Sequence, residues 1–234
     1  MSPCAVITGA SRGIGKAAAQ LFLDKGYRVL NLSRSASGLS GVVDVTIDMS
    51  KSDFVTQHAD EILQAVGESA ELVLVHNAAT LLKDSINEMD SQSFRDVLEL
   101  NLVAPAALTR LLIPHMNAGS SIIYIASTLG TKAVSNSCSY VTSKHALIGL
   151  MKSTCQDLVG SGIHTLAICP GFTDTEMLRS HIGTDPAVEA DIASTVAMGR
   201  LALPAEIAKT ILFGAQNQVL NGAIIDANLG QIER

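Results

Sequence analysis

Seven short apolar runs, spaced by longer amphipathic stretches, are what most restricts the folds open to this chain of 234 residues. The runs cover 4–8, 28–33, 42–47, 72–76, 121–126, 164–169 and 223–226. Apolar residues fall on consecutive positions in each, the pattern of strands buried on both faces. Val73-Leu74-Val75 carries nothing polar at all and predicts a central strand. Helical patterns fill the gaps at 13–25, 53–66, 92–116, 140–159 and 205–216. Such alternation builds βαβ units with right-handed crossovers. The expected fold is α/β: a doubly wound parallel sheet of about seven strands with helices on both faces, most simply in the order 3-2-1-4-5-6-7.

No Pro/Gly/Ser-rich linker and no internal repeat divides the chain, so residues 1–234 read as a single domain. The segment 173–200 is the least regular, and a long irregular stretch inside a compact domain is usually a functional lid. Apolar residues make up 47% and charged residues 16%, which suits a substantial core. The net charge of −6 argues against nucleic acid or an anionic membrane as partner, since both call for a basic face. Four cysteines, Cys4, Cys138, Cys155 and Cys169, lack metal-type spacing and require no oxidising compartment. No metal site is expected. With no leader pattern and no long uninterrupted apolar run, the expected location is cytoplasmic.

The first apolar run opens into Thr8-Gly9-Ala10-Ser11-Arg12-Gly13-Ile14-Gly15. After the first strand of a doubly wound, Rossmann-type sheet, the three glycines have separate roles. Gly9 permits the tight turn, Gly13 lets backbone approach a pyrophosphate, and Gly15 allows close helix–strand packing. Backbone N–H groups around Ser11, Arg12, Gly13 and Ile14 then face an anion at the helix N-terminus. The spacing is Gly-x3-Gly-x-Gly, not the usual dinucleotide fingerprint, and by itself such a cluster is also what a tight structural turn looks like. The end of the second run, Asn31-Leu32-Ser33-Arg34, offers no carboxylate for a ribose 2′-hydroxyl. Arg34 and Arg12 instead suit a 2′-phosphate, pointing to NADP(H) over NAD(H); the alternative is that both arginines are simply solvated.

The second motif is Tyr140-Val141-Thr142-Ser143-Lys144. Four residues apart on a helix, the phenol and the ammonium share a face, with Cβ atoms about 5–6 Å apart. A cation that close is expected to pull the Tyr140 pKa down from about 10 toward neutrality. A tuned proton donor beside a nucleotide loop points to hydride transfer involving a carbonyl.

With these residues together, the chain resembles the short-chain dehydrogenase/reductase family, and within it the 3-oxoacyl-acyl-carrier-protein reductase-like branch. The resemblance runs from residue 4 to about residue 230. It implies that Asp48, with Met49 behind it, contacts the adenine. It also implies that Asn77 and Ala78 approach a ribose, and that Pro170, Thr173 and Thr175 line the cofactor after the sixth strand. The catalytic set it implies is Asn101, Ser127, Tyr140 and Lys144. In that set Tyr140 is the proton donor, Ser127 holds the substrate oxygen, Lys144 also binds nicotinamide ribose, and Asn101 holds a water of a proton relay. Two segments depart from the family pattern: His76-Asn77-Ala78-Ala79 replaces Asn-Asn-Ala-Gly, and Asp226-Ala227-Asn228 replaces Asp-Gly-Gly. His76 itself reads as a hydrogen-bonded core residue.

The expected activity is therefore NADP(H)-dependent interconversion of a carbonyl and a secondary alcohol on a small molecule, a 3-oxoacyl-type or aliphatic ketone. Apolar residues Met177, Leu178, Ile182, Val188, Ile192, Val196, Met198 and Leu201 either shape an aliphatic pocket or belong to an ordinary amphipathic lid. The family also implies a homodimer or homotetramer through the helices bearing Asn101 and Tyr140. The alternative reading is a catalytically silent NADP(H)-binding regulatory protein on the same fold. A sugar-nucleotide epimerase would need a larger C-terminal substrate domain.

Overall fold

The computed structural model describes residues 2–232. Seven parallel strands form one sheet: β1 (Cys4–Thr8), β2 (Arg28–Ser33), β3 (Val42–Thr46), β4 (Leu72–His76), β5 (Ser121–Ile125), β6 (His164–Pro170) and β7 (Ile224–Ala227). Their order is β3-β2-β1-β4-β5-β6-β7, as the alternation of runs predicts. Eight α-helices accompany them in the described residues: α1 (Gly13–Asp24), α2 (Phe54–Val66), α3 (Ser91–Leu98), α4 (Ala104–Leu112), α5 (Cys138–Asp157), α6 (Glu176–Ile182), α7 (Pro186–Ala193) and α8 (Pro204–Ala215).

Consecutive apolar residues serve two cores at once. Cys4 and Val6 of β1 face the cluster shared with Ile62 of α2, Leu108 of α4 and Leu147 of α5. Ala5 and Ile7, pointing the other way, join Ala18 and Phe22 of α1 and Ile211 of α8. This two-sided burial is why the strand reading succeeds for β1, β4, β5 and β6, which are buried along their whole lengths. It does not hold at the sheet edges. β3 buries only Val45, and Val43 is half exposed, because an edge strand has a neighbour on one side only.

The expected helix over 92–116 is one rod from Ser91 to His115, but its middle is not α-helical. Residues Glu99–Val103 form a π-helical turn, and Ile113–His115 a 3₁₀ turn. Pro105 explains the wide turn. It has no N–H to give the Asn101 carbonyl, and its ring would collide with that carbonyl in a regular α-helix. The chain widens instead, with Ala104 N–H reaching the Glu99 carbonyl. Length and composition alone would let this rod cross a membrane. Ala104, Leu108 and Leu112 are nevertheless packed into the core beside the sheet.

The segment 173–200 is more regular than expected, since α6 and α7 occupy it. Neither helix buries a residue fully, although Val196 and Leu201 at the far end do sink into the fold. Met198 and Val188 are exposed, so the apolar set there is split between core and surface. Arg179 ties α6 to α7 by bonding both Asp174 and Glu189, at 2.7 and 2.6 Å. Partly exposed ion pairs of this kind contribute little. Amide hydrogens of α6 and α7 should accordingly exchange much faster than those of β4 and β5. Protection equal to that of the sheet would contradict this.

Candidate active site

The sheet order reverses between β1 and β4, and loops leaving the carboxyl ends of these strands diverge to leave a crevice. Thr8 closes its floor. The Thr8 hydroxyl accepts the backbone N–H groups of both Asn77 and Ala78 at 2.9 Å. From the other side, Asn77 Nδ2 donates to the carbonyls of Thr8 and Gly9 at 3.0 and 3.1 Å. Gly15 lies so close beneath that a Cβ there would sit 2.3 Å from the Gly9 carbonyl oxygen and 2.5 Å from Asn77 Nδ2. Only glycine fits, in the packing role expected of it. Gly9 and Gly13 have φ of +70° and +55°, the left-handed region that glycine enters freely. The change from Gly to Ala79 carries no backbone strain, because among the described residues only Asn136 and Leu229 are non-glycines with positive φ. His76, ending β4, is buried and bonded through Nε2 to Thr109 Oγ1 at 2.7 Å. Burial pushes its pKa down to about 3, so it is a neutral core residue.

A cleft of about 640 Å³ opens beside the glycine-rich turn, lined by Ser11, Arg12, Gly13, Lys16, Thr175 and Glu176 among others. Thr175 lies over the turn, its methyl 3.3 Å from where a Gly13 Cβ would stand. Its hydroxyl caps α6 by accepting Leu178 N–H at 3.3 Å, while Thr173 is buried and donates to the Gly171 carbonyl at 3.1 Å. Pro170 ends β6 and is buried. Ile14 packs against the apolar cluster under α1. Met49 and Ala78 meet in a small apolar hollow with Leu100. Asp48 accepts Ser50 N–H and hydroxyl at 3.1 and 2.7 Å, bonds that hold its carboxyl below the usual range with help from the Arg34 and Lys51 charges. Arg12 lines the cleft and is exposed, Arg34 is exposed with its charge near Asp48, and neither is engaged in an ion pair among the described residues.

One residue that sequence reasoning missed ties these parts together. Asn31 is buried on β2; its Oδ1 accepts Ala10 N–H of the glycine-rich turn at 2.8 Å. Its Nδ2 donates to Asp44 Oδ1 at 2.8 Å and to the Ser35 carbonyl at 3.1 Å. An Asn interrupting an apolar run was the available signal.

Tyr140, Lys144 and Ser127 come together at the tips of β5 and β6. Lys144 is buried, and its Nζ donates to the Ile125 carbonyl at 2.8 Å while lying 5.5 Å from the Tyr140 ring centre. The Ser127 hydroxyl neighbours the Tyr140 phenol closely enough to lower its pKa, and its Oγ accepts Leu129 N–H at 3.1 Å. Asn101 is buried within the wide turn and does not reach this trio directly. Its side chain grips Thr80, accepting the N–H at 2.8 Å and donating to the carbonyl at 2.9 Å, and donates to Ser143 Oγ at 3.0 Å. Ser143 in turn donates to the Tyr140 carbonyl at 2.8 Å, a link that sequence reasoning also missed.

The expected acidic phenol is not what this arrangement produces. Burial pushes Tyr140 up to about 12, only partly opposed by the neighbouring Ser127 hydroxyl. The Lys144 ammonium is directed at the Ile125 carbonyl, and burial lowers its own pKa to about 8. With the pair placed in the core, both groups resist ionisation.

The comparisons fit this geometry. A family profile described as short chain dehydrogenase matches residues 3–185. The chain belongs to the short-chain dehydrogenase family. This short-chain dehydrogenase is similar to a 3-oxoacyl-[acyl-carrier-protein] reductase of Vibrio cholerae, 29% identical over 97% of this chain and 96% of that protein, from the branch its motifs resemble. Among solved structures, the aldohexose dehydrogenase of Thermoplasma acidophilum superposes with a TM-score of 0.90 at 29% identity, covering 98% of this chain and 93% of that one. A 4-hydroxyisoleucine dehydrogenase complexed with NADH gives a TM-score of 0.85 at 27% identity and covers 98% of both chains. The protein is thus an oxidoreductase of this family.

Lys144 provides a pH test of the buried pair. It loses its proton near 8 in the folded protein and near 10.5 unfolded. Between these values the unfolded chain binds more protons, so this group makes stability rise with pH; the gain is complete above 10.5 and lost as pH falls through 8. In urea titrations the stability of wild type relative to Lys144→Met should climb across that window. A difference that stays flat would contradict the assignment.

Proposed function

We propose that this short-chain dehydrogenase is an NADP(H)-dependent carbonyl reductase or alcohol dehydrogenase acting on a small 3-oxoacyl-type or aliphatic ketone. The observation that carries the reading is the buried Tyr140–Lys144 pair with Ser127 beside the phenol, at strand tips next to the glycine-rich crevice. The crevice also fits a dinucleotide: Gly15 leaves no room for a Cβ, and the Arg12 end of α1 has no side-chain cap across its free N–H groups. Support for NADP(H) comes from the exposed Arg12 and Arg34 and from Ser33, rather than a carboxylate, ending β2.

Bound there, nicotinamide dinucleotide supplies the hydride. The chain's own residues manage the oxygen. Ser127 donates a hydrogen bond to the substrate carbonyl, stabilising charge as it develops. Tyr140, fully protonated in the resting protein because burial raises it to about 12, gives up its hydroxyl proton to the same oxygen. Lys144 holds the phenol's surroundings in register and offers a second donor face to ribose hydroxyls. The bonds of the Asn101 side chain to the Thr80 backbone keep the crevice wall in place while this happens. We also assign the protein to the cytoplasm as a homodimer or homotetramer through the helices bearing Asn101 and Tyr140; Val103, nearly half exposed on that rod, suits such a contact.

Kinetics test the reading in two arms. Tyr140→Phe should abolish turnover against a ketone panel, a loss of at least about 10³-fold, while binding NADPH within about tenfold of wild type. Wild type should show higher kcat/KM with NADPH than with NADH. An active Tyr140→Phe enzyme would remove the residue from its role, and equal or better efficiency with NADH would remove the 2′-phosphate site.

A further inference from the structure

The first turn of α5 is held from outside the helix. Its N-cap, Ser137, makes no capping bond with its side chain, so the opening N–H groups need other acceptors. Asp84, on the segment that leaves β4, supplies two of them. Its backbone carbonyl accepts Cys138 N–H at 3.2 Å. Its carboxylate accepts Ser139 N–H, at 3.0 Å to Oδ1 and 3.3 Å to Oδ2, and its Oδ2 also accepts a bond from the Ser139 hydroxyl. Ser139 is completely buried, and Tyr140 follows it directly. A carboxylate at this position also complements the positive end of the helix dipole.

The same short segment is anchored on both sides. Thr80 is gripped through its N–H and carbonyl by Asn101. Lys83 donates to the His181 carbonyl at 3.3 Å, in the last turn of α6. Residues 80–84 thus join the wide turn, the lid and the catalytic helix, and Asp84 is the member that touches the helix one residue from Tyr140.

We propose that Asp84 is a positioning residue for Tyr140: by clamping the first turn of α5 through Cys138 and Ser139, it fixes how far the phenol reaches toward Ser127 and the substrate oxygen. Asp84 meets no reacting atom and is not a catalytic residue. The inference rests on Tyr140 being the proton donor. It acts through distance, because proton transfer needs heavy atoms about 2.6–3.2 Å apart, and a misplacement of about 1 Å costs on the order of 10²-fold in rate.

The test measures kcat and KM for wild type, Asp84→Ala, Asp84→Asn, Ser139→Ala and Tyr140→Phe, with NADPH affinity from its fluorescence. Assays run at temperatures where circular dichroism shows each variant folded. Asp84→Ala should lose about 10- to 100-fold in kcat at saturating substrate and nucleotide, with NADPH affinity within about threefold. Asp84→Asn keeps one acceptor for Ser139 N–H and should recover to within about tenfold of wild type. Ser139→Ala should fall between the two. Should Asp84→Ala not fold, the Asn and Ser139→Ala variants carry the test, and wild-type kcat in both overturns the proposal. So does a loss in kcat matched by an equal loss of nucleotide affinity and unrescued by Asn, which marks a general packing role. Active wild type, inert Tyr140→Phe and unimpaired Asp84 variants would refute the positioning role alone. Wild type inert against every ketone would instead refute the reading on which it rests.

Discussion

The site depends on a lysine ammonium kept almost out of water. Lys144 reaches from α5 to the Ile125 carbonyl at the end of β5, a bond of 2.8 Å that satisfies a donor whose burial would otherwise be prohibitive. That bond locks the helix to the sheet at the level of the strand tips. Gly130 allows the approach: a Cβ there would stand 3.0 Å from the Lys144 carbonyl and 2.8 Å from Ile148. Once the helix is seated, Tyr140 has nowhere to go but beside Ser127, one turn earlier on the same face. Ser143 and Asn101 tie the same turn to the wide turn of the neighbouring rod, so the phenol is fixed from the direction of the helix axis as well.

A second rigid body meets the first across the crevice. Thr8, Gly9, Gly15 and Asn77 interlock through hydrogen bonds and a contact only glycine permits, and Asn31 extends that lattice to the loop carrying Arg34. Two preorganised walls, the glycine-rich turn and the end of α5 with Ser127, suit the proposed hydride transfer. Both walls stand on strands whose side chains alternate between two cores, so neither can shift without disturbing the sheet.

Much of this was legible in the sequence because local patterns carried it. Buried strands declare themselves by consecutive apolar residues, and the glycine-rich turn and the Tyr140–Lys144 spacing are contiguous motifs. What was illegible depends on contacts between distant residues. Asp84 and Ser139 are unremarkable in sequence, and only the fold brings them together. The wide turn at Asn101 was in principle readable from Pro105, which forbids an α-helical bond to that carbonyl, yet helical periodicity alone masks it. The two short helices α6 and α7 have almost no buried face, so no periodic signal announced them. The Tyr140 pKa departs from expectation for a different reason. Spacing gives the distance to a charge but says nothing of burial, and here desolvation raises the phenol with only the Ser127 hydroxyl opposing it.

In the proposed mechanism the buried Tyr140 phenol would ionise readily only with a cationic nicotinamide beside it. Ultraviolet difference titration, wild type minus Tyr140→Phe, isolates that phenol from the other two tyrosines of the chain. Without nucleotide, no Tyr140 phenolate signal should appear up to about pH 10, and with NADP⁺ bound a titration should emerge below that value. A phenol that titrates below about 10 in the free protein, or one indifferent to NADP⁺, would contradict this mechanism.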